Sequence, residues 1–369
     1  MNLSVLFYNR IMIMNICLWI IGAALAFYTK RIFFLFLIFY VFIINEILYL
    51  LFNFDLYFSG DRTELVYSTS SIYELLSPEV QNMSSNLTEG IFPDKTCIPP
   101  EEAERNRFDE FIRLLDIQKG DKVLDAGCGH GGLVMYLRSK GFDAYGITIT
   151  KTQYDENIEE HGPYFYYGDY TLIQPQLLNK FDHIILPGSL EHPFGGNPRF
   201  LSAYEKKFNG MKDMFQLMKK YFRDDSKQKK ILSTCIHMNM KFINHMPSIT
   251  IERVMGGLYP CIDKLSVADA LKAAEYNVLS NEDYTWHYYF ATVCNPNHFG
   301  NPAPFPWYFY LLTVLLYPIS VYSYYYSEYG LWMWMWDNKY HYPDNHQFSY
   351  VEDINERPCT LFYTVAQCK

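Results

Sequence analysis

A glycine-rich turn after a short apolar stretch has the residue types that a nucleotide-type cofactor requires. Residues 123–132 read VLDAGCGHGG, in which Asp125 is followed by Gly127, Gly129 and Gly131 at alternate positions. Glycines here let the backbone turn sharply and approach a ligand closely before a helix begins. The pattern D-x-G-x-G-x-G differs from the dinucleotide fingerprint G-x-G-x-x-G. Because a glycine-rich turn can also be purely structural, the residues that follow must decide between the two.

The elements after this turn predict an α/β, doubly wound, Rossmann-like fold. A second strand is predicted at 143–150 (DAYGITIT), about 20 residues after Asp125, where doubly wound folds place the group that binds the ribose. An acidic residue is expected there, but this chain has Thr148, followed by Gln153.

Two further polar pairs follow predicted strands. Asp169 and Tyr170 come after the third strand, and the fourth strand, within 181–192 (FDHIILPGSLEH), ends in Glu191 and His192. In doubly wound sheets the ligand crevice opens at the carboxyl ends of the strands, so these side chains are candidates for a site.

This series of motifs resembles the cyclopropane-fatty-acid synthase family of S-adenosylmethionine (SAM) methyltransferases, with its mycolic-acid and sphingolipid methyltransferase relatives. The phrase GITIT-x-x-Q is similar to the family's G-[VI]-T-[LI]-[ST]-x-x-Q. Segments 100–107 (PEEAERNR), 258–266 (LYPCIDKLS) and 289–293 (YFATV) also resemble family motifs, in family order. The resemblance covers about residues 64–299 and implies a SAM methyltransferase fold.

The resemblance also implies the cofactor and the residues that bind it. SAM would be bound by the glycine turn, by the residues placed at the ribose and by those placed at the adenine: Asp125, Gly127, Gly129, Gly131, Thr148, Gln153, Asp169 and Tyr170. Two alternatives stay open. Asp125 could instead accept hydrogen bonds from the turn's own amides, and Tyr170 could simply pack.

Catalytic residues are implied by the same resemblance. The family is understood to use a bound bicarbonate as the base that closes a cyclopropane ring, in a cage that includes Glu191 and Tyr289 of this chain. The histidine of the Glu-His pair, His192, could orient a loop or be a partner of Glu191. Possible cofactors are therefore SAM and bicarbonate.

Departures from the family pattern bear on that cage. The family's Y-S-C-G cysteine is replaced near Glu89, and its fifth-strand histidine aligns with Cys235, with His237 two residues further on. A cage without two of its members would hold bicarbonate poorly. A relative that only adds a methyl group would need no such base.

Composition limits the remaining possibilities. A net charge of −9, from 31 basic and 40 acidic residues, argues against nucleic acid as a partner. Eight cysteines without a C-x-x-C pair predict free thiols in a reducing compartment. An aromatic fraction of 18% suggests an apolar or lipid-facing surface.

Apolar runs at 11–28 and 32–52 predict a transmembrane helical hairpin within residues 1–54. A cleaved signal peptide is the alternative for the first run, but the second would remain as an anchor. A linker at 55–64, a methyltransferase domain at 65–300 and an aromatic C-terminal region at 301–369 would follow. The last holds a possible third membrane segment at 305–326, which could span the membrane, lie on its surface or belong to the core.

One long helix is predicted at 201–222. Its apolar residues recur every three or four positions, which is the pattern of a single buried stripe, and basic residues that include Lys207 occupy the other face. That face would be solvated or rest on anionic lipid.

Together these patterns predict an integral membrane, SAM-dependent methyltransferase whose catalytic domain faces the cytosol and whose substrate is a membrane lipid. Methyl(ene) transfer to a carbon of an unsaturated chain is the first hypothesis. The alternatives are N- or O-methylation of a head group or small molecule, and a degenerate fold without activity.

Overall fold

The computed structural model describes residues 24, 27–29, 89–194, 201–242, 259–294, 335–336 and 350–369. Its strands are β1 (Lys122–Ala126), β2 (Asp143–Thr148), β3 (Phe165–Tyr167), β4 (His183–Pro187), β5 (Lys230–Met238), β6 (Tyr276–Asp283) and β7 (Cys359–Cys368). They form one sheet in the order β3-β2-β1-β4-β5-β7-β6. The pairs along β3-β2-β1-β4-β5 are parallel, whereas β7 is antiparallel to both β5 and β6. The predicted α/β doubly wound fold is thereby confirmed.

Helices cover the sheet and connect its strands. They are α1 (Pro100–Leu115), α2 (Gly132–Ser139), α3 (Lys151–His161), α4 (Leu201–Met218), α5 (Val267–Ala273) and α6 (Thr285–Cys294). Short 3-10 turns occur at Pro93–Lys95, Pro175–Leu177, Lys219–Tyr221, Met240–Phe242 and Ile354–Glu356. Helix α4 and the turn after it occupy the predicted 201–222, so that helix is confirmed.

Both faces of the sheet are buried, as the strand sequences require. Successive residues of a strand point to opposite faces, so Val123 and Leu124 belong to different apolar clusters. The cluster with Val123 includes Phe111 of α1, and that with Leu124 includes Phe215 of α4. Two covered faces explain why the central strands read as continuous apolar runs.

The chain order reverses between β1 and β4, which are neighbours although β2 and β3 lie between them in sequence. The connections after β1 and β4 therefore diverge to opposite sides and leave a crevice at the carboxyl ends of these strands. Asp125 is the penultimate residue of β1, the turn 127–131 follows this strand, and Gly188 to Glu191 follow β4. The topology places the predicted motifs at one edge.

Strand β7 extends the sheet beyond the domain boundary predicted at residue 300. It pairs with β5 from Lys230↔Gln367 to Met238↔Cys359 and with β6 on its other side. The C-terminal residues therefore form an inner strand, although they read as a polar, aromatic tail in the sequence.

The prediction that all cysteines are free is wrong for one pair. Cys97 and Cys294 form a disulfide with their Cα atoms 5.4 Å apart, because the segment before α1 meets the end of α6. Among the described residues, Cys128, Cys235, Cys261, Cys359 and Cys368 are free. The cysteines thus give no support to a reducing compartment.

The predicted integral membrane location is contradicted. Across the described ranges, no helix is both long and apolar enough to cross a bilayer. The predicted span at 32–52, the linker at 55–64 and the segment at 305–326 lie outside the described residues, as does 11–28 except for residues 24 and 27–28.

A chain that ends at residue 300 tests the role of β7. Without this strand both β5 and β6 lose a backbone partner and the apolar residues of β7 leave the core, so we expect no cooperative thermal unfolding by circular dichroism. Removal of Lys369 alone, which follows the strand, should leave the transition unchanged. A cooperative transition in the shorter chain would contradict the inner position of β7.

Candidate cofactor and active site

The glycine turn after β1 is held by backbone contacts to its neighbours. The amides of Gly127 and Cys128 donate to the carbonyl of Ile147 at 2.9 and 3.0 Å, which fixes the start of the turn to β2. The side-chain amide of Asn157, on α3, donates to the carbonyl of Gly129 at 2.8 Å. The turn is therefore shaped by the two elements that follow it.

Two glycines of the turn, Gly129 and Gly131, have different structural roles. Both have positive φ, +53° at Gly129 and +78° at Gly131. A Cβ at Gly131 would lie 2.6 Å from the ring of Phe165 and 2.9 Å from Asn157, whereas a Cβ at Gly129 would meet nothing within 4 Å. Gly131 thus permits close packing, and Gly129 faces open space that suits a bound ligand.

Asp125, the penultimate residue of β1, is a buried carboxylate, 2% exposed. Its Oδ1 has no hydrogen-bond partner within the described part of the chain. Burial raises the pKa of Asp125 to about 7, and Arg107 opposes this rise. The amides of Gly127 and Cys128 donate to β2 instead, so Asp125 retains an oxygen that a cationic or N–H-bearing cofactor could satisfy.

Thr148 and Gln153 are brought together at the end of β2. The hydroxyl of Thr148 donates to Oε1 of Gln153 at 2.9 Å and accepts from the amide of Thr150 at 3.2 Å. Both side chains are buried. Their mutual bond organises the turn into α3, at the position predicted for the ribose.

Asp169 and Tyr170 follow β3 and have separate contacts. Asp169 accepts from the amide of Thr171 at 2.8 Å and also from its hydroxyl. The Tyr170 hydroxyl donates toward Ser189, with its carbonyl and Oγ both 3.1 Å away. A Cβ on Gly127 would lie 2.8 Å from Cβ of Ser189. Tyr170 therefore links β3 to the loop that packs against the glycine turn.

Glu191 is buried in the loop after β4. Its Oε1 accepts from the backbone amide of Ile236 on β5 at 2.6 Å, and its Oε2 has no hydrogen-bond partner among the residues described. Burial raises its pKa to about 7. His192 is partly buried beside it in sequence. Glu191 thus presents one buried carboxylate oxygen at the carboxyl end of the sheet.

Lys207 fixes the loop that carries Glu191. Although the sequence places it on a basic face of α4, it is 1% exposed. Its ammonium donates to the carbonyls of Leu190, Glu191 and Pro193 at 2.7, 3.1 and 2.8 Å. The signal for this role was its spacing, since Lys207 stands three residues after Tyr204 and four before Met211, both buried.

A second buried carboxylate, Glu89, was not among the predicted catalytic residues. Its Oε1 accepts from the Thr234 hydroxyl at 3.2 Å and its Oε2 from the Tyr363 hydroxyl at 3.1 Å. A guanidinium nitrogen of Arg107 lies 3.9 Å from Oε2. Burial raises the pKa of Glu89, while Arg107 and the two hydroxyls oppose the rise. In the sequence, the one indication of this position was that the cysteine of the family motif is replaced near Glu89.

The remaining candidates have other surroundings. Tyr289 is buried on α6, with its ring centroid 5.6 Å from that of Trp286 and 5.4 Å from that of Tyr350. These two neighbours help to line a cavity of about 610 Å³. His237 uses both ring nitrogens, toward the carbonyl of Cys235 and the amide of Val267. Burial lowers its pKa to about 4, so it holds the start of α5 as a neutral ring.

The sheet order, with a glycine turn after β1, is that of a Rossmann-like methyltransferase fold, and the family match identifies the class as SAM-dependent methyltransferase. The family model described as Mycolic acid cyclopropane synthetase matches residues 90–293, more than half of the 369-residue chain. The chain belongs to this family, and the resemblance seen in the sequence is confirmed.

Solved structures share the fold. The chain is 16% identical to the mycolic acid cyclopropane synthase CmaA1 complexed with SAH and CTAB, with a TM-score of 0.57 over 82% of this chain and 98% of that one. The cyclopropane synthase MmaA2 from Mycobacterium tuberculosis gives 15% identity and a TM-score of 0.55, again over 82% and 98%. The [4+2]-cyclase SpnF gives 13% and 0.52, over 80% and 93%.

Curated relatives match over a shorter stretch. A "Probable fatty acid methyltransferase" of Pseudomonas putida is 40% identical over 63 residues, 16% of this chain and 15% of the relative. Another, from Mycobacterium tuberculosis, is 33% identical over 70 residues, 19% of this chain and 16% of the relative. The chain thus spans about one sixth of the length of these relatives.

Alanine at Gly131 should mainly destabilise the fold, whereas alanine at Gly129 should mainly weaken SAM binding. Gly131→Ala should lower the free energy of unfolding by several kcal/mol, because its Cβ overlaps a ring and a buried amide. Gly129→Ala should cost only about 1–2 kcal/mol of backbone strain but weaken SAM binding at least about tenfold. Thermal unfolding and calorimetric titration with SAM measure the two effects. Unchanged SAM affinity in Gly129→Ala would remove the turn from the cofactor site.

Glu191 should make the protein less stable as pH rises. In the folded state its pKa is about 7, against an ordinary value of 4.5. The folded state therefore binds more protons between these values, and the free energy of unfolding falls as pH rises through them, by on the order of 3 kcal/mol from this group.

Denaturant titrations from pH 4 to 8 check this expectation. Glu191→Gln should show a shallower fall than the unaltered protein, whereas Glu159→Gln, at an exposed position of α3, should keep the original slope. Identical slopes for all three proteins would mean that Glu191 ionises as an ordinary carboxyl group.

Proposed function

We propose that the protein transfers a methyl(ene) group from SAM to a carbon of an unsaturated lipid chain. The observation that carries this proposal is a buried carboxylate, Glu191, in the loop that packs on the glycine turn, with one oxygen that has no hydrogen-bond partner among the described residues. Membership of the cyclopropane synthetase family and the names of the fatty acid methyltransferase relatives support the substrate class.

The residues of the turn fit SAM. The space beside Gly129 admits a ligand close to the backbone, and Asp125 provides an acceptor for a positively charged group. The Thr148–Gln153 pair and Asp169 would bind the ribose and the adenine. When bound, SAM supplies an electrophilic methyl group on a positively charged sulfur.

The chain itself would supply position and a dry environment for this transfer. Lys207 holds the carbonyls on either side of Glu191, so the carboxylate has a fixed place. A buried, ionised Glu191 would stabilise the positive charge that develops on the chain carbon as the double bond attacks the methyl group. Orientation of the double bond in line with that methyl group contributes the rest.

Open space at Gly129 also bears on the alternative of an inactive, degenerate fold. A fold that no longer binds a cofactor has no need to keep its cleft open. Here the position whose side chain would enter the cleft is a glycine, and one carboxylate oxygen of Asp125 has no partner among the described residues. Both features favour an active SAM site.

Mass spectrometry of lipids tests the function. Cells with the intact protein should contain lipids whose acyl chains or long-chain bases are heavier by one CH2. Cells with Gly129→Val should lack these heavier lipids, because the valine fills the cofactor cleft. Purified protein with labelled SAM and lipid extract should place the label in the same chains. Label confined to head groups would instead establish N- or O-methylation, and no label in any lipid would contradict the lipid substrate.

A further inference from the structure

The carboxylate of Glu89 is surrounded by hydrogen-bond donors that would also suit a free anion. The hydroxyls of Thr234 and Tyr363 each donate to one of its oxygens, and Arg107 lies 3.9 Å from the second. All four side chains are buried, with Glu89 itself 7% exposed. A carboxylate of the chain thus takes the place that a small bound anion would otherwise fill.

Its location connects the cofactor turn with Glu191. A Cβ on Gly188 would lie 3.6 Å from Oε1 of Glu89, and the next residue, Ser189, packs against Gly127 of the turn. Glu191 follows two residues after Ser189. Burial is the main cause of the raised pKa of Glu191, and the charge of Glu89 adds to it. Glu89 therefore lies in the crevice where the transferred methyl group would be.

The charges of the site do not fit bicarbonate. Among the described residues, three carboxylates, those of Glu89, Asp125 and Glu191, are buried here together with two cations, Arg107 and Lys207. The ammonium of Lys207 is already bound to three carbonyls. A further anion would enter a low-dielectric site in which these carboxylates outnumber the described cations, and each carboxylate that ionises would repel it.

The residue aligned with the family's fifth-strand histidine also fails to favour bicarbonate. Cys235 is buried, and burial together with the neighbouring Glu191 raises the pKa of its thiol, so it stays neutral. His237 is bound to Cys235 and Val267 by its two ring nitrogens. Neither side chain adds a positive charge that would attract the anion.

We propose that Glu89 takes over the task of bicarbonate and accepts the proton that leaves the transferred methyl group. This inference rests on the proposed carbon methylation. The double bond attacks the methyl group, so that a carbon–carbon bond forms, the carbon–sulfur bond breaks and its electron pair remains on sulfur. A C–H bond of the new methyl group then breaks, its electrons close the three-membered ring on the neighbouring cationic carbon, and the proton moves to Glu89. The products are cyclopropane, S-adenosylhomocysteine and one proton.

The test uses the full chain, vesicles of an unsaturated phospholipid and labelled SAM, in buffer freed of carbon dioxide. The unaltered protein should turn over at the same rate with and without added bicarbonate. Glu89→Gln keeps the shape and the hydrogen-bonded neighbours but cannot accept the proton, so turnover should fall at least about 100-fold while the calorimetric affinity for SAM stays unchanged. Glu159→Gln, exposed on α3, serves as the matched control and should keep the full rate.

Several outcomes would overturn the inference. A rate of the unaltered protein that rises with bicarbonate would show that the anion binds, and a Glu89→Gln protein with full turnover would show that the carboxylate is dispensable. Should Glu89→Gln lose its thermal transition, the bicarbonate dependence of the unaltered protein decides alone. Absence of label from lipid chains in every sample would instead refute the proposed function, and this inference with it.

Discussion

The burial of three carboxylates at the carboxyl end of a parallel sheet is the constraint on which the site depends. Glu89, Asp125 and Glu191 are withdrawn from water, where each would be stabilised in its charged form. Among the residues that the structure describes, the cations Arg107 and Lys207 are buried beside them. Raised pKa values at all three are the direct result. Because the sulfonium and ammonium groups of SAM outweigh its one carboxylate, SAM bound at the proposed site would bring positive charge to these buried carboxylates.

Position of these groups follows from topology more than from local sequence. Asp125 lies near the end of β1 and Glu191 follows β4, while the donors that hold Glu89 come from β5 and β7. Four strands therefore contribute to one region. The bond from Tyr363 to Glu89 joins residues 274 positions apart. Such a bond requires β7 to be an inner strand, and the tail of the chain therefore contributes to the site as well as to the sheet.

The sequence was sufficient to predict the elements whose structure is determined by a local pattern of residues. Apolar strands, the glycine turn and the stripe of α4 each have a period or spacing that predicts their structure. Strand β7 (CTLFYTVAQC) is rich in apolar, aromatic and β-branched residues, but local pattern does not reveal its inner position between β5 and β6, which follows a long connection. Lys207 shows the same limit at a single residue: its type indicates a solvated face, whereas its spacing from Tyr204 and Met211 places it on the buried stripe. A lysine buried in this way needs hydrogen-bond acceptors for its ammonium group. The carbonyls of Leu190, Glu191 and Pro193 provide them, and they cannot be predicted from the helix sequence alone.

Two departures from the family pattern acquire a common explanation in this charge balance. A free anion needs a positively charged or strongly donating cage, whereas a carboxylate attached to the chain needs only to be held. Cys235, which aligns best with the family's fifth-strand histidine, would remove a donor from the cage, and Glu89, near the position of the family cysteine, would in the proposed mechanism supply an anion attached to the chain. A base fixed to the chain is present in every enzyme molecule and carries no entropic cost of binding. Arg107, Thr234 and Tyr363 then oppose the rise of the Glu89 pKa through their contacts, which favours the ionised form that can accept a proton.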